Sequence, residues 1–142
     1  RFSLLYTDSA QNIETIGKYA FSNCKELTSV IVPDSVVSLG EGSFYKCEKL
    51  QTVKLGSGLL EVGAFAFQDT KLWEDAEDYI MADNWVVGCK KKDVQEIYLT
   101  VDGVGAAAFA NLKTLMSVRL PNAKAVGEKD NSRLLRIHTC RS

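Results

Sequence analysis

No stretch of 18 apolar residues occurs anywhere in the sequence, so nothing in it reads as a membrane-spanning helix. Neither sign of charge dominates. The 17 basic residues stand against 18 acidic ones, and so balanced a chain offers no field for neutralising nucleic-acid phosphates. Histidine is nearly absent: His138 is the only one, and no Cys-x-x-Cys pair accompanies it, which removes the usual ligand sets of a structural zinc site. His138 stands two residues from Cys140, but a Cys–His nucleophile needs spatial contact and a third, orienting group, so the pair reads as incidental. The acidic run Glu74-Asp75-Ala76-Glu77-Asp78 lacks the alternating acids and turn glycine of a calcium loop and reads as a solvated face. Lys90-Lys91-Lys92 is followed at once by Asp93 and reads as an exposed turn before a strand. With no convergent set of titratable groups, the expectation is a protein that is not an enzyme and that needs no cofactor and no metal.

What is present is a period. Phe21, Phe44 and Phe67 are each 23 residues apart, and Phe109 follows 42 residues later, one further period carrying 19 extra residues. The phenylalanines are embedded in a larger pattern. One unit reads Ile13-x-x-Ile16-Gly17-x-x-Ala20-Phe21-x-x-Cys24-x-x-Leu27-x-x-Val30-x-Val32-Pro33. The next reads Val36-x-x-Leu39-Gly40-x-x-Ser43-Phe44-x-x-Cys47-x-x-Leu50-x-x-Val53-x-Leu55. A third begins Leu59-x-x-Val62-Gly63-x-x-Ala66-Phe67 and then departs, and a last resumes from Val101 through Gly105, Phe109, Leu112 and Val118 to Pro121.

A period in the twenties is that of a solenoid, whose repeats bury their apolar faces only by stacking. Val30-x-Val32, Val53-x-Leu55 and Val118-x-Leu120 alternate with period two, so each predicts a short strand with one face buried, stacked in parallel on its neighbours about 4.8 Å apart. Pro33 and Pro121 end their strands by removing a ladder donor. Gly17, Gly40, Gly63 and Gly105 fall where the chain must turn and are expected to supply positive φ. The three-residue spacing of Ala-Phe-x-x-Cys predicts a short helical turn, with its phenylalanine plugging the space inside. At 46% hydrophobic, 142 residues suffice for one continuous core.

The combined text Ile-Gly-x-x-Ala-Phe-x-x-Cys-x-x-Leu-x-x-Val-x-Val-Pro resembles the BspA-type leucine-rich repeats of bacterial cell-surface proteins, over about Ile13 to Gly127. The resemblance implies a leucine-rich-repeat solenoid, a right-handed superhelix of short parallel β-strands with short helical turns. It also implies an extracellular or cell-surface location and a role in adhesion, with a host or extracellular-matrix protein or a glycan as partner. Departures are local. Thr70 and Leu112 replace cysteine at its column, and residues 71–95 form an insertion without repeat register. Its Trp73, Tyr79, Ile80, Trp85, Val86 and Val87 make that insertion apolar enough to pack as a hairpin or added strand. The register of Ile97-Tyr98-Leu99 has two solutions. Gapless alignment to Phe109 sets Tyr98 where Pro33 stood, whereas the family pattern sets it beside Ile31 and Lys54.

The expected organisation is a single repeat domain over residues 1–142, with repeats from about 13 to 127 and an irregular tail from 128 to 142. The chain starts in mid-repeat, with Phe2, Leu4 and Leu5 resembling a remnant strand. Where the next phenylalanine falls due, near Asn131, it reads Glu-Lys-Asp-Asn-Ser, and Leu134-x-x-Ile137-x-Thr139 fits a degenerate last strand. An uncapped solenoid exposes its end rungs and associates, so a longer array and end-to-end self-association are expected. Cys24 and Cys47 occupy one column a rung apart, within Cα reach of a disulfide. Stacked side chains run parallel where a disulfide needs converging Cβ vectors, and that favours the alternative of buried thiols. The candidate binding surface is the open face of the strand ladder, a stripe of Ile31, Lys54, Tyr98 and Arg119 flanked by the small hydroxyls Ser29, Thr52 and Ser117. Trp73 and Trp85 form a second candidate in the insertion. Two roles follow: a non-enzymatic surface module binding protein or glycan, or a spacer projecting another domain.

Overall fold

A computed structural model describes residues 2–4, 13–110, 112–129 and 131. Leu5, His138, Cys140 and the strand expected across Leu134, Ile137 and Thr139 lie outside these residues. The chain winds as a β-solenoid of about five turns with little helix. Its strands are β1 (Phe2–Leu4), β2 (Thr15–Ile16), β3 (Leu27–Ile31), β4 (Ser38–Leu39), β5 (Thr52–Lys54), β6 (Glu61–Val62), β7 (Tyr79–Ala82), β8 (Trp85–Cys89), β9 (Glu96–Tyr98), β10 (Gly103–Val104), β11 (Ser117–Arg119) and β12 (Ala125–Val126), with a single helix α1 (Lys71–Asp75) between β6 and β7.

Two parallel ladders carry the repeats, because each unit holds two apolar segments. The first stacks β1, β3 and β5 and resumes with β9 and β11; the second stacks β2, β4 and β6 and resumes with β8, β10 and β12. Register follows the sequence columns: Val30 pairs with Val53, Ile97 with Val118, and Ile16 with Leu39 with Val62. All of these side chains are buried, as are Leu27, Leu50 and Leu115 in the column preceding the first ladder. The phenylalanines form the column expected of them. Phe21 and Phe44 stack with centroids 5.5 Å apart and planes 9° off parallel, and Phe44 and Phe67 repeat this at 5.4 Å and 7°.

The turn that carries each phenylalanine is not helical. Tyr19, Gly42, Phe65 and Ala107 hold left-handed φ of 54°, 60°, 62° and 61°, and so do Asn23, Lys46 and Asp69 one turn on. Alternating hands swing every second N–H out of its own turn toward the next rung. Tyr19, Phe21 and Asn23 donate to the carbonyls of Glu41, Ser43 and Tyr45 at 2.9, 2.8 and 2.7 Å, and Gly42, Phe44 and Lys46 donate likewise to Ala64, Ala66 and Gln68. A helical turn would direct these groups along its own axis; here the stack satisfies them. Asn131 takes over this duty one rung past Phe109. Its Oδ1 accepts the Phe109 N–H at 2.9 Å and its Nδ2 donates to the Gly105 and Gly127 carbonyls at 3.0 and 2.8 Å.

The repeat glycines also serve another purpose than the one expected. Among the described glycines only Gly42 has a positive φ. A Cβ on Gly40 would lie 2.8 Å from the Gly17 carbonyl carbon, and one on Gly63 would lie 2.5 Å from the Glu41 nitrogen. The column is glycine because successive backbones touch there.

Thr70, standing in the cysteine column, starts the insertion. Its hydroxyl donates to the Phe67 carbonyl at 2.7 Å and accepts the Trp73 N–H at 3.4 Å, capping α1. Next, β7 and β8 pair antiparallel as a hairpin, and β8 enters the second ladder with Trp85 opposite Gly103 and Val86 opposite Val104. The hairpin is a wall across the solenoid. Ile80, Ala82, Trp85 and Val87 pack into the core of the first rungs, while Val86, with Tyr79, Met81 and Cys89, packs into the core of the last ones. Tyr79 meets Phe109 edge-on at 6.1 Å, in the direction where a preceding phenylalanine would stand.

Candidate functional site

The outward positions of the first ladder follow from the pleat: the residue between two buried ones must face solvent. Ile31 is opposite Lys54 on adjacent rungs, and Tyr98 is opposite Arg119. The ladder thereby selects the register that sets Tyr98 beside the outward column, and Tyr98 is 63% exposed. The Arg119 guanidinium lies 5.6 Å from the centre of the Tyr98 ring, a cation–π contact that holds its charge out from the strand. Behind Tyr98, Ile97 is buried.

Ile31 and Lys54 also share a cleft of about 460 Å³, whose other walls include Pro33, Asp34, Ser35 and Gly56. Local chemistry builds it. Pro33 stops β3 from pairing further. A Cβ on Gly56 would stand 2.6 Å from the Asp34 Cα and the Pro33 oxygen, so the two loops close up only with glycine there. Asp34 Oδ1 accepts the Ser57 N–H at 2.9 Å and the Ser35 hydroxyl donates to the Ile13 carbonyl at 2.7 Å, which pins the rim. The cleft presents one ammonium, one carboxylate and an apolar floor.

The four stripe residues fall into two pairs. β5 ends one sheet and β9 ends another, and at the boundary the hairpin tip intervenes, with Asp83 Oδ2 accepting the Leu55 N–H at 2.8 Å. The two tryptophans do not form a joint surface. Trp85 is 2% exposed, with its ring against Gly103, so it serves the core and is closed to a partner. The apolar content that suggested a binding patch there is what the wall needs to seal two cores. Trp73 is half-buried over Gly88 and lines a second cleft of about 400 Å³ with Lys46, Glu48, Asp69 and Glu74.

Sequence reasoning passed over the turn face. Tyr19 and Phe65 are 46% and 45% exposed there, in the left-handed column, and the Tyr19 ring covers Gly42. Tyr45 meets Tyr19 edge-on at 6.2 Å, and Lys46 sits 5.3 Å from the Tyr45 ring centre. The available signal was the spacing of Tyr19 and Phe65, each two residues after a repeat glycine.

Cys24, Cys47 and Cys89 are free. The Cys47 thiol is buried and donates to the Phe21 carbonyl at 3.0 Å. Burial pushes it up to about 11, which keeps it protonated and a poor nucleophile near neutrality. Burial likewise pushes the Cys89 thiol up, against a carbonyl contact from Lys91 that lowers it. Among the described residues no three His, Cys, Asp or Glu side chains gather as metal ligands, and no helix is long and apolar enough to cross a membrane.

The family model described as BspA type Leucine rich repeat region (6 copies) matches residues 3–77. No curated protein matches the chain in sequence. Among solved structures, a leucine rich repeat protein of T. pallidum is 24% identical with a TM-score of 0.48, covering 82% of this chain and 46% of that one. A leucine rich cell surface protein of Faecalibacterium prausnitzii A2-165 is 21% identical with a TM-score of 0.44, covering 80% of this chain and 33% of that one. The chain thus spans less than half the length of either.

Proposed function

Since the chain belongs to the BspA-type leucine-rich repeat family, we propose that it is a non-enzymatic interaction module of a secreted or cell-surface protein, binding a host or matrix protein or a glycan on the open face of its first ladder. One observation carries the reading: Ile31 and Lys54, adjacent on that face, line a single cleft of about 460 Å³. A cleft of that size with one ammonium, one carboxylate and apolar walls suits a polar ligand group held by a few directed contacts. The stacked Arg119–Tyr98 pair adds a fixed cation beyond the hairpin. Surface location follows the family's character.

The test is binding of the purified chain to a panel of extracellular-matrix proteins and glycans, beside the Lys54→Glu, Arg119→Glu double variant. Both side chains are exposed and outward, so the variant is expected to fold as the parent does, which circular dichroism and a thermal melt check. Loss of a hit in the variant, by tenfold or more for two reversed charges at about 1.4 kcal/mol per decade, is the expected result. A hit that survives charge reversal moves the contact off this face. No hit at all leaves the chain as a spacer that projects another domain.

A further inference from the structure

The two ladders are unequally complete. The second resumes across the insertion with β8, β10 and β12, whereas in the first β5 and β9 are each the last strand of a sheet. The strand that chain order puts between them is β7, and it pairs antiparallel with β8 instead. One position of the first ladder is therefore left without a strand.

The backbone groups bordering that position can be assigned by alternation. The Lys54 carbonyl accepts the Val32 N–H at 2.8 Å, so Lys54 faces β3 and its neighbours Val53 and Leu55 face the other way. Leu55 bears this out, donating in that direction to Asp83 at 2.8 Å. On the far border, Leu99 donates to the Arg119 carbonyl at 3.1 Å, so Ile97 and Leu99 face β11 and Tyr98 faces the gap. Among the described residues, the N–H and C=O of Val53 and Tyr98 have no strand partner on that side. Asp83 reaches Leu55 with a carboxylate where, one rung earlier, a strand carbonyl serves Val32.

We propose that β5 and β9 border a slot that takes one extended polypeptide segment of a partner protein as an added strand. The proposal rests on the open strand face being the binding face, and it narrows the partner from protein or glycan to an extended peptide. A row of alternating donors and acceptors at strand spacing finds its complement in another backbone, which supplies the affinity, while the outward side chains select. Lys54 on one border, and Tyr98 with Arg119 stacked on it beyond the other, favour acidic side chains at the outward positions of the segment.

Amide hydrogen exchange of the full chain by NMR tests the slot directly, with a synthetic peptide of alternating Thr and Glu as the probe. In the free chain Val53 and Tyr98 are expected to exchange at least about tenfold faster than Val30 and Ile97, whose amides face paired strands, a ratio equivalent to one hydrogen bond. The peptide should slow both, and a copy N-methylated at alternate residues should not. Tyr98→Pro removes the gap-facing donor without touching the bonds to β11, and should weaken the peptide about tenfold, while Tyr98→Thr, which keeps the donor, should not. Val53 and Tyr98 protected in the free chain as well as Val30 and Ile97 would overturn the slot. So would a peptide that fails to slow them, or one that binds Tyr98→Pro or binds in its N-methylated form undiminished. If the slot fails in any of these ways while Lys54→Glu, Arg119→Glu still abolishes a hit from the matrix and glycan panel, the face remains the binding face and only the added strand is wrong.

Discussion

Phe44→Ala should destabilise the chain by about 3–5 kcal/mol, the largest loss of any single truncation in the phenylalanine column. Phe44 is fully buried and stacked on both faces, against Phe21 at 5.5 Å and Phe67 at 5.4 Å. Its removal leaves a cavity that the neighbours cannot fill, because each is held by its own turn through hydrogen bonds to the next rung. For a domain of this size the melting temperature should fall by roughly 10 °C or more. Phe21→Ala is the internal control. Phe21 is stacked on one side and only partly buried, so its truncation should cost clearly less. Equal losses at the two positions would show that the column is not a packed stack.

Gly63→Ala should cost about 3 kcal/mol, at the upper end of the range for overpacking, while Gly17→Ala in the same sequence column should be neutral or stabilise by about 0.5 kcal/mol. The contrast arises from what lies beneath each residue. A Cβ at Gly63 would meet the Glu41 nitrogen at 2.5 Å and the Gly40 carbonyl carbon at 2.7 Å, both backbone atoms that cannot rotate away, whereas a Cβ at Gly17 meets nothing within 4 Å. Neither glycine has a positive φ, so alanine fits the dihedrals of both. Thermal denaturation of the two variants separates the explanations. A similar cost at both would restore conformational freedom as the reason for the column.

These contrasts show where a sequence stops informing on a solenoid. The spacing of Phe21, Phe44 and Phe67 is enough to predict stacking, because only a column brings residues 23 apart into contact. Alternation at Val30-x-Val32 and Val53-x-Leu55 likewise identifies the strands and their outward residues. The Ala-Phe-x-x-Cys spacing does not discriminate, since a helical turn and two successive β-turns return a side chain to the same face at the same interval. The left-handed φ of Tyr19 and Phe65 is imposed by hydrogen bonds to another rung, which leave no mark on local propensity. The glycine column was visible, but its cause is a contact between rungs. In the candidate site, the pairing of Ile31 with Lys54 was legible from the repeat, and Tyr98 beside Arg119 needed the ladder to choose between two registers. The misreading of Trp85 has the same root: an apolar side chain in an insertion looks available until both cores it seals are known.

Two faces of this chain offer exposed aromatic side chains, the strand face with Tyr98 and the turn face with Tyr19 and Phe65. Which of them meets the partner is measured most directly by amide chemical-shift mapping of the chain saturated with whichever matrix protein or glycan it binds. Shifts concentrated at residues 29–34, 52–56, 96–98 and 117–119, the strand face and its cleft, are the predicted result. Shifts confined to residues 19–24, 42–47 and 65–70, with the strand face silent, would contradict it and assign binding to the turns.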